Sequence, residues 1–391
     1  MGARGATQRQ CSVAAMSAPG DAPRRECVVQ YLYVHHPGER FEYPSSRSSG
    51  GSANTAMRYL ECALVQTASL RMRDADADIV LVTNLEDPRD PALVEQRGVR
   101  LLDKMESLGV RLLHAAYKHR SPKPVPMFEA SRYVLDAIGA VANDGADSER
   151  RFWLVDVDCV WIDPPRVFAA APPAGSVGCI HIDYPPDWDI NGVTPRGVGE
   201  LGRELGDCPV PVEWVGGELL CGGAADLTGM VTACEQLNQE VSAHGAELPA
   251  EEQLLSLAGG LGRVRFTDLS SVAWRLWTGP RHGALPHSDP ASLGLWHLPS
   301  EKGLGLRRAA NEILSGRTKR LRRDLQDPAR AMRRFNVGGT GWMRRLRDDG
   351  WLATHRLTDR PLLFQARGVA HWAERRSVSH VSAIDRPRVT T

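Results

Sequence analysis

The residues best suited to do chemistry are Asp156 and Asp158, at the end of the apolar run within Arg151 to Pro164, RFWLVDVDCVWIDP. A short apolar run reads as a buried parallel strand, and in open α/β sheets ligands collect at the carboxyl ends of such strands. Two carboxylates this close repel each other unless a cation lies between them. Hard oxygen ligands suit Mg²⁺ or Mn²⁺ bridging to a phosphate, so the pair predicts a metal-diphosphate site. A strand end followed by an Asx-type turn gives the same triplet, and its meaning depends on what the rest of the chain brings to it.

Four further stretches carry candidate groups. Val212 to Gly223 (VEWVGGELLCGG) places Gly216 and Gly217 inside an apolar strand, where a glycine pair marks either close approach of a ligand to the main chain or a β-bulge. Strand alternation leaves the direction of Glu218 open. Glu251, Glu252 and Gln253 open the helical stretch EEQLLSLA, where acidic residues are favoured by the helix dipole alone. Leu295 to Gly303 (LWHLPSEKG) contains His297 and Lys302, and MFEASRYVLDA contains Arg132, on the helix ahead of the aspartate strand.

The elements that must position these groups alternate. Cys27 to Val34 reads as a strand, followed by a Gly/Ser/Pro-rich loop from His36 to Ser52 of a length expected to be functional or disordered. Asn54 to Arg71 is helical in spacing, Asp78 to Thr83 a strand, Leu93 to Leu108 a helix, Val110 to His114 a strand and Met127 to Val141 a helix. After the aspartates come strands at Val177 to Asp183 and Trp214 to Cys221, then helices near Ala224 to Val241 and Ala250 to Leu257. Strand-helix alternation implies a parallel sheet wound with right-handed crossovers.

With 391 residues there is ample material for a buried core, and the formal net charge of +1 hides a segregation. From Glu301 onward basic residues exceed acidic ones by roughly twelve, so the part before it is about as acidic as the tail is basic. Eight scattered cysteines without a C-x-x-C pair read as reduced, mostly buried thiols and predict a cytoplasmic setting. No apolar stretch approaches the roughly 20 residues of a membrane span. Residues 1–26 lack a hydrophobic core, which argues against a signal peptide and predicts a disordered lead, with Met16 an alternative start.

Taken in order, these motifs resemble the nucleotide-sugar-dependent glycosyltransferases of the GT-A fold, closest to the glycogenin-like and lipopolysaccharide-galactosyltransferase-like retaining enzymes. The resemblance implies an α/β domain over 27–314, a mostly parallel twisted sheet with helices on both faces. A basic, Trp-containing helical or irregular extension over 315–391 follows. It implies that Asp156, Asp158 and His297 hold Mn²⁺ or Mg²⁺ against the diphosphate of a donor such as a UDP-sugar, with Lys302 on the phosphates. Backbone amides near Gly216 and Gly217 would line the sugar pocket, and Arg132 would reach the donor. Glu252 would sit beneath the anomeric carbon in a retaining enzyme; in an inverting one, Glu218 or Glu252 would act as general base. Here His297 and Lys302 are one residue closer together than in those enzymes, and no acidic residue directly follows the first strand.

The acceptor, a small molecule or a cell-envelope glycan or lipid-linked saccharide, has no signature, and the Ala-, Arg- and Gly-rich composition resembles that of high-GC bacteria. Two rivals predict different chemistry. A haloacid-dehalogenase-like phosphatase would use Asp156 as nucleophile, but its motif opens the domain, whereas this one follows about 125 residues of α/β pattern. A non-catalytic polyanion- or membrane-binding module would rest on the tail alone, with Arg320, Arg322, Arg323, Arg333, Arg334, Arg344, Arg345 and Arg347 interleaved by Trp342, Trp351 and Trp372. Nucleic acid is disfavoured as a partner, and peripheral membrane contact through this tail is admissible.

Overall fold

Sequences such as CVVQYL, DIVLVT and RFWLV carry apolar side chains on both faces, and each becomes a strand of the central sheet buried along nearly its whole length. The computed structural model describes residues 25–35, 42–43, 48–49, 53–73, 75–90, 95–120, 129–144, 150–276, 278 and 289–337. In chain order the first elements are β1 (Glu26–Leu32), the short pair β2 (Glu42–Tyr43) and β3 (Ser48–Ser49), α1 (Ala53–Met72), β4 (Asp78–Thr83), α2 (Gln96–Ser107), β5 (Val110–His114) and α3 (Tyr133–Asn143). Then come β6 (Arg151–Val155), β7 (Cys159–Trp161), α4 (Pro164–Ala169), β8 (Val177–Ile182), α5 (Pro195–Leu205), β9 (Trp214–Gly223), α6 (Ala224–Ala243) and α7 (Glu251–Gly260). The last are β10 (Phe266–Asp268), β11 (Ala273–Arg275), β12 (Leu295–His297), α8 (Gly305–Leu314), α9 (Thr318–Leu325) and α10 (Pro328–Arg334).

The main sheet has the order β10-β8-β9-β6-β1-β4-β5. It is parallel except for β9, which runs against both β6 and β8. The reversal follows from the connection. The chain leaves β8 at Ile182 and enters β9 at Trp214, and these two residues are paired, so α5 returns it to the same sheet end from which it left. Because β6 and β8 are both antiparallel to β9, their carboxyl ends lie together, as the aspartate reading required.

A second sheet, β11-β12-β7, fixes the late motif against the aspartates. His297 on β12 pairs with Cys159 on β7, one residue past Asp158, and Arg275 on β11 aligns with His297. Helix α1 is buried over most of its described length, including Glu61, Gln66, Thr67 and Ser69, and the last three brace the same region. Gln66 donates to the Asp156 carbonyl at 2.7 Å, Ser69 accepts from the Trp161 amide at 3.0 Å, and Gln30 on β1 bonds Thr67 at 3.0 Å. Buried polar groups satisfied in this way hold one arrangement of helix and strand in preference to its neighbours.

The helix expected from Leu93 begins at Gln96, after an extended Glu95, and the one expected from Met127 begins as a 3₁₀ turn at Glu129 before α3. Beyond α8, the basic stretch enters the core through Leu321, Leu325, Ala331 and Phe335. Arg334 is buried against Glu312 at 2.7 Å and Asp324 at 2.8 Å. The basic residues and tryptophans from Trp342 to Trp372, and residues 36–41, 44–47 and 50–52 of the Gly/Ser/Pro-rich stretch, lie outside the described residues. All seven described cysteines are free and buried, and among the described residues no helix is long and apolar enough to cross a membrane.

Candidate metal centre

Strand β6 ends at Val155, and a turn closed by the Cys159 amide on the Asp156 carbonyl (3.1 Å) lifts the two aspartates out of the sheet. Val157 between them turns into the core, which is why the carboxylates are spaced by two. Two neighbours hold the turn from either side: the Asp156 amide donates to the Glu218 carbonyl on β9 at 3.0 Å, and the Leu298 amide after β12 donates to the Asp158 carbonyl at 3.1 Å. The triplet is thus clamped between the strand carrying the glycine pair and the strand carrying His297.

The side chains converge accordingly. His297 Nε2 lies 3.2 Å from Asp158 Oδ2 and 3.6 Å from Asp156 Oδ2, and one donor atom from each of the three falls within 4.8 Å of the others. Lys302 Nζ sits 2.6 Å from Asp158 Oδ2 and 5.5 Å from the centre of the Tyr59 ring. The Tyr31 hydroxyl donates to Asp156. Two carboxylates and one imidazole form a donor set that Mn²⁺ or Mg²⁺ accepts, oxygen-rich with a single nitrogen.

The charges of this cluster are set by opposing effects. Burial disfavours ionisation of Asp158, but Lys302 and His297 more than offset it and hold the carboxyl well below the usual range. Burial also works against a charged His297, yet Asp158 and Glu218 raise it to about 9. Asp156, with about a third of its side chain open, is raised to about 6, chiefly by desolvation and by the charge on Asp158, against the pull of His297.

A second cluster adjoins the first through Glu218, whose Oε1 is 3.7 Å from His297 Nδ1. Arg275 grips Glu218 with two bonds, 2.9 and 2.6 Å, and also bonds Glu252 and, at 3.1 Å, the Tyr184 hydroxyl. Glu252 is further held by the Trp214 indole N–H at 3.0 Å. Despite burial, Arg275 and His297 keep the Glu218 carboxyl well below its ordinary value.

Gly216 and Gly217 lie against the chain's own carboxyl groups. A Cβ on Gly216 would meet Glu218 Oε2 at 2.5 Å, and one on Gly217 would meet Glu251 Oε1 at 2.3 Å, so the close approach demanding glycine is made by the chain's own carboxyl groups. The pair also sits in a bulge: Cys179 pairs with Leu220, but the next residue, Ile180, pairs with Gly216. Bulges beside sites re-aim side chains, and this one swings Glu218 toward the aspartates.

Glu251, not its neighbour, is the carboxyl left without full compensation. It is 9% exposed, its Oε2 has no hydrogen-bond partner, and burial followed by the charge of Glu252 raises it to about 8. Arg132 is buried and donates to Asn238 at 3.1 Å and to the Leu248 carbonyl. Arg275, Tyr31 and Gln66 were not singled out in the sequence. The one signal for Arg275 was indirect, since two acidic residues on buried elements require a cation from somewhere.

No family model matches the chain, and no curated protein matches it. Among solved structures it is similar to the galactosyltransferase LgtC in complex with donor and acceptor sugar analogs, at 9% identity over 74% of this chain and 95% of that one, TM-score 0.44. Mouse xyloside xylosyltransferase 1 in its apo form aligns at 12% identity over 69% and 96%, TM-score 0.43. The apo bifunctional glycosyltransferase WbbM aligns at 11% over 72% and 47%, TM-score 0.42. Overlap at this level carries no weight for the reaction, which rests on the site alone.

Proposed function

We propose that this chain is a metal-dependent glycosyltransferase of the GT-A type that moves a hexose or amino-hexose from a nucleotide diphosphate sugar, a UDP-sugar, to an acceptor hydroxyl. The observation that carries the reading is the convergence of Asp156, Asp158 and His297, from stretches far apart in the chain, with Lys302 on the same carboxylate. These three residues would hold Mn²⁺ or Mg²⁺, which when bound neutralises charge on the departing diphosphate. Lys302 adds a compact positive charge for a phosphate oxygen. Glu251, neutral at pH 7 and set against Gly217, donates a hydrogen bond to a hydroxyl of the donor sugar.

The same geometry favours retention of anomeric configuration. Inversion needs an ionised general base free to take the acceptor's proton. Glu218 is a weak base locked by Arg275, Glu252 is bonded to both Arg275 and Trp214, and Glu251 holds its own proton. The test is a donor screen by thermal shift, since a ligand that binds only the folded state raises its melting temperature. A UDP-sugar should stabilise the protein with Mn²⁺ but not with EDTA, and Asp158→Asn should abolish the effect. An equal shift without metal refutes the metal role, and no shift with any nucleotide sugar refutes the transfer reading. NMR of the product then reads the stereochemistry.

A further inference from the structure

Trp188 is the exposed large hydrophobic side chain among the described residues, 41% open to solvent. A single exposed aromatic needs no explanation by itself. Its setting supplies one. The Tyr184 and Trp188 rings lie 6.2 Å apart at 38°, so together they present one shallow aromatic face, and Tyr184 packs edge-on against buried Trp214. The Tyr184 hydroxyl accepts from Arg275, which grips Glu218 beside His297. The face is thus joined to the metal cluster by an unbroken series of contacts, at the sheet end where β6 and β8 both terminate.

The loop that carries it is built to one shape. The Trp188 amide donates to the Pro185 carbonyl at 2.9 Å, Ile190 and Val193 are bridged, and Asp189 accepts from the Gly192 amide at 2.9 Å. Gln253, two residues after Glu251 on α7, donates to the carbonyls of Ile190 and Asn191 at 3.2 and 3.4 Å. The same helical turn therefore sets the positions of both the loop and Glu251. From Asp183 through Val193 there are three aspartates, Asp183 included, and no Lys or Arg, and Asp187 pairs with Arg196 at the loop's base at 2.7 Å.

We infer that Trp188 and Tyr184 form the acceptor platform, and that the acceptor is a neutral saccharide whose ring stacks on the indole. An aromatic face takes up the C–H face of a pyranose, and flanking carboxylates accept hydrogen bonds from its hydroxyls. The same acidic rim repels phosphate lipid headgroups and nucleic acid. The acceptor role rests on the transfer reading, whereas binding of sugar at Trp188 is independent of it.

The test uses the full chain labelled with 5-fluorotryptophan, the Trp188 resonance being the one missing from Trp188→Phe. It is titrated with lactose, cellobiose and maltose up to about 50 mM, the range of weak sugar binding, and separately with phosphatidylglycerol vesicles. The Trp188 resonance should move with at least one disaccharide and stay still with vesicles. Trp188→Ala should weaken that binding at least about tenfold, as loss of a stacked Trp anchor does. A Trp188 resonance unmoved by all three sugars, or moved by vesicles, overturns the platform. If sugars move it while no nucleotide sugar shifts the melting temperature, the transfer reading falls and the saccharide site stands.

Discussion

Replacing Glu251 by Gln tests how the site is charged. Burial, then the neighbouring Glu252, raise this carboxyl from 4.5 to about 8 in the folded chain. An acid whose pKa is higher folded than unfolded weakens folding as it ionises. The penalty is absent below about pH 4.3, grows through the interval, and is complete above about pH 8. At about 1.4 kcal/mol per pK unit the ceiling is about 5 kcal/mol, and a carboxyl that stays neutral at pH 7 must show at least about 3.5 kcal/mol of it. Glu251→Gln keeps the size and one N–H donor but cannot ionise. Melting temperatures of both proteins by scanning fluorimetry across pH 4 to 9 isolate this one group, since all others titrate in both. The variant should be nearly level with the parent at the acid end and about 7 to 10 °C more stable at the alkaline end, taking about 2 °C per kcal/mol for a chain of this size. A gap that stays flat, or one that reverses, means that Glu251 is ionised and partnered. Its role as a neutral donor then fails, and with it part of the case for retention.

Arg275→Met leaves Glu218 and Glu252 buried without their cation and should cost about 3 to 5 kcal/mol in urea unfolding; a loss below about 1 kcal/mol would show that solvent already screens the three charges. Gly217→Ala should destabilise by about 1 to 3 kcal/mol because its Cβ would fall 2.3 Å from Glu251 Oε1. In a Glu251→Ala background that cost should shrink, and strict additivity in the double-mutant cycle would contradict the contact. His119 bonds Asp136 and Glu235, each at 2.8 Å, and although burial opposes its charge, these carboxylates raise its pKa. Its contribution is therefore full below the unfolded value near 6.5 and fades as pH rises through the folded one. His119→Gln should lower the melting temperature at pH 6 but hardly at pH 9, and an equal loss at both would leave only shape to explain it.

What could be read from the sequence and what could not divide along a physical line. Strands β1, β4, β5 and β6 declare themselves because an apolar run between polar breaks is a local property. The aspartate pair does so because two charges one residue apart need a cation wherever they are placed. Glu251 and Glu252 differ in nothing local. They stand about 100° apart on α7, so that one meets Gly217 and the other meets Trp214 and Arg275, a distinction made only by the strand packed against the helix. Arg275 was hidden for the same reason, since its value lies in the register of a three-residue strand beside β12.

That arginine changes the electrostatic argument for metal. The sequence offered two aspartates repelling each other, but in the folded chain four carboxylates, Asp156, Asp158, Glu218 and Glu252, face three cations, His297, Lys302 and Arg275. The site is therefore close to neutral and slightly acidic before any ligand arrives, and the repulsion between the aspartates is already answered by protein groups. A divalent cation is demanded by the ligand instead. A diphosphate brings about two further negative charges into surroundings where charge is costly. Lys302 and His297 are already engaged by Asp158, so they cannot balance them without exposing that carboxylate. On this accounting nucleotide diphosphates without metal should bind weakly and metal without nucleotide should bind weakly, each strengthening the other by the same factor, as linkage requires. Isothermal titration of Mn²⁺ in the presence and absence of UDP measures both arms. Independent affinities would show that the three basic groups suffice for the phosphates and that the aspartates serve another end.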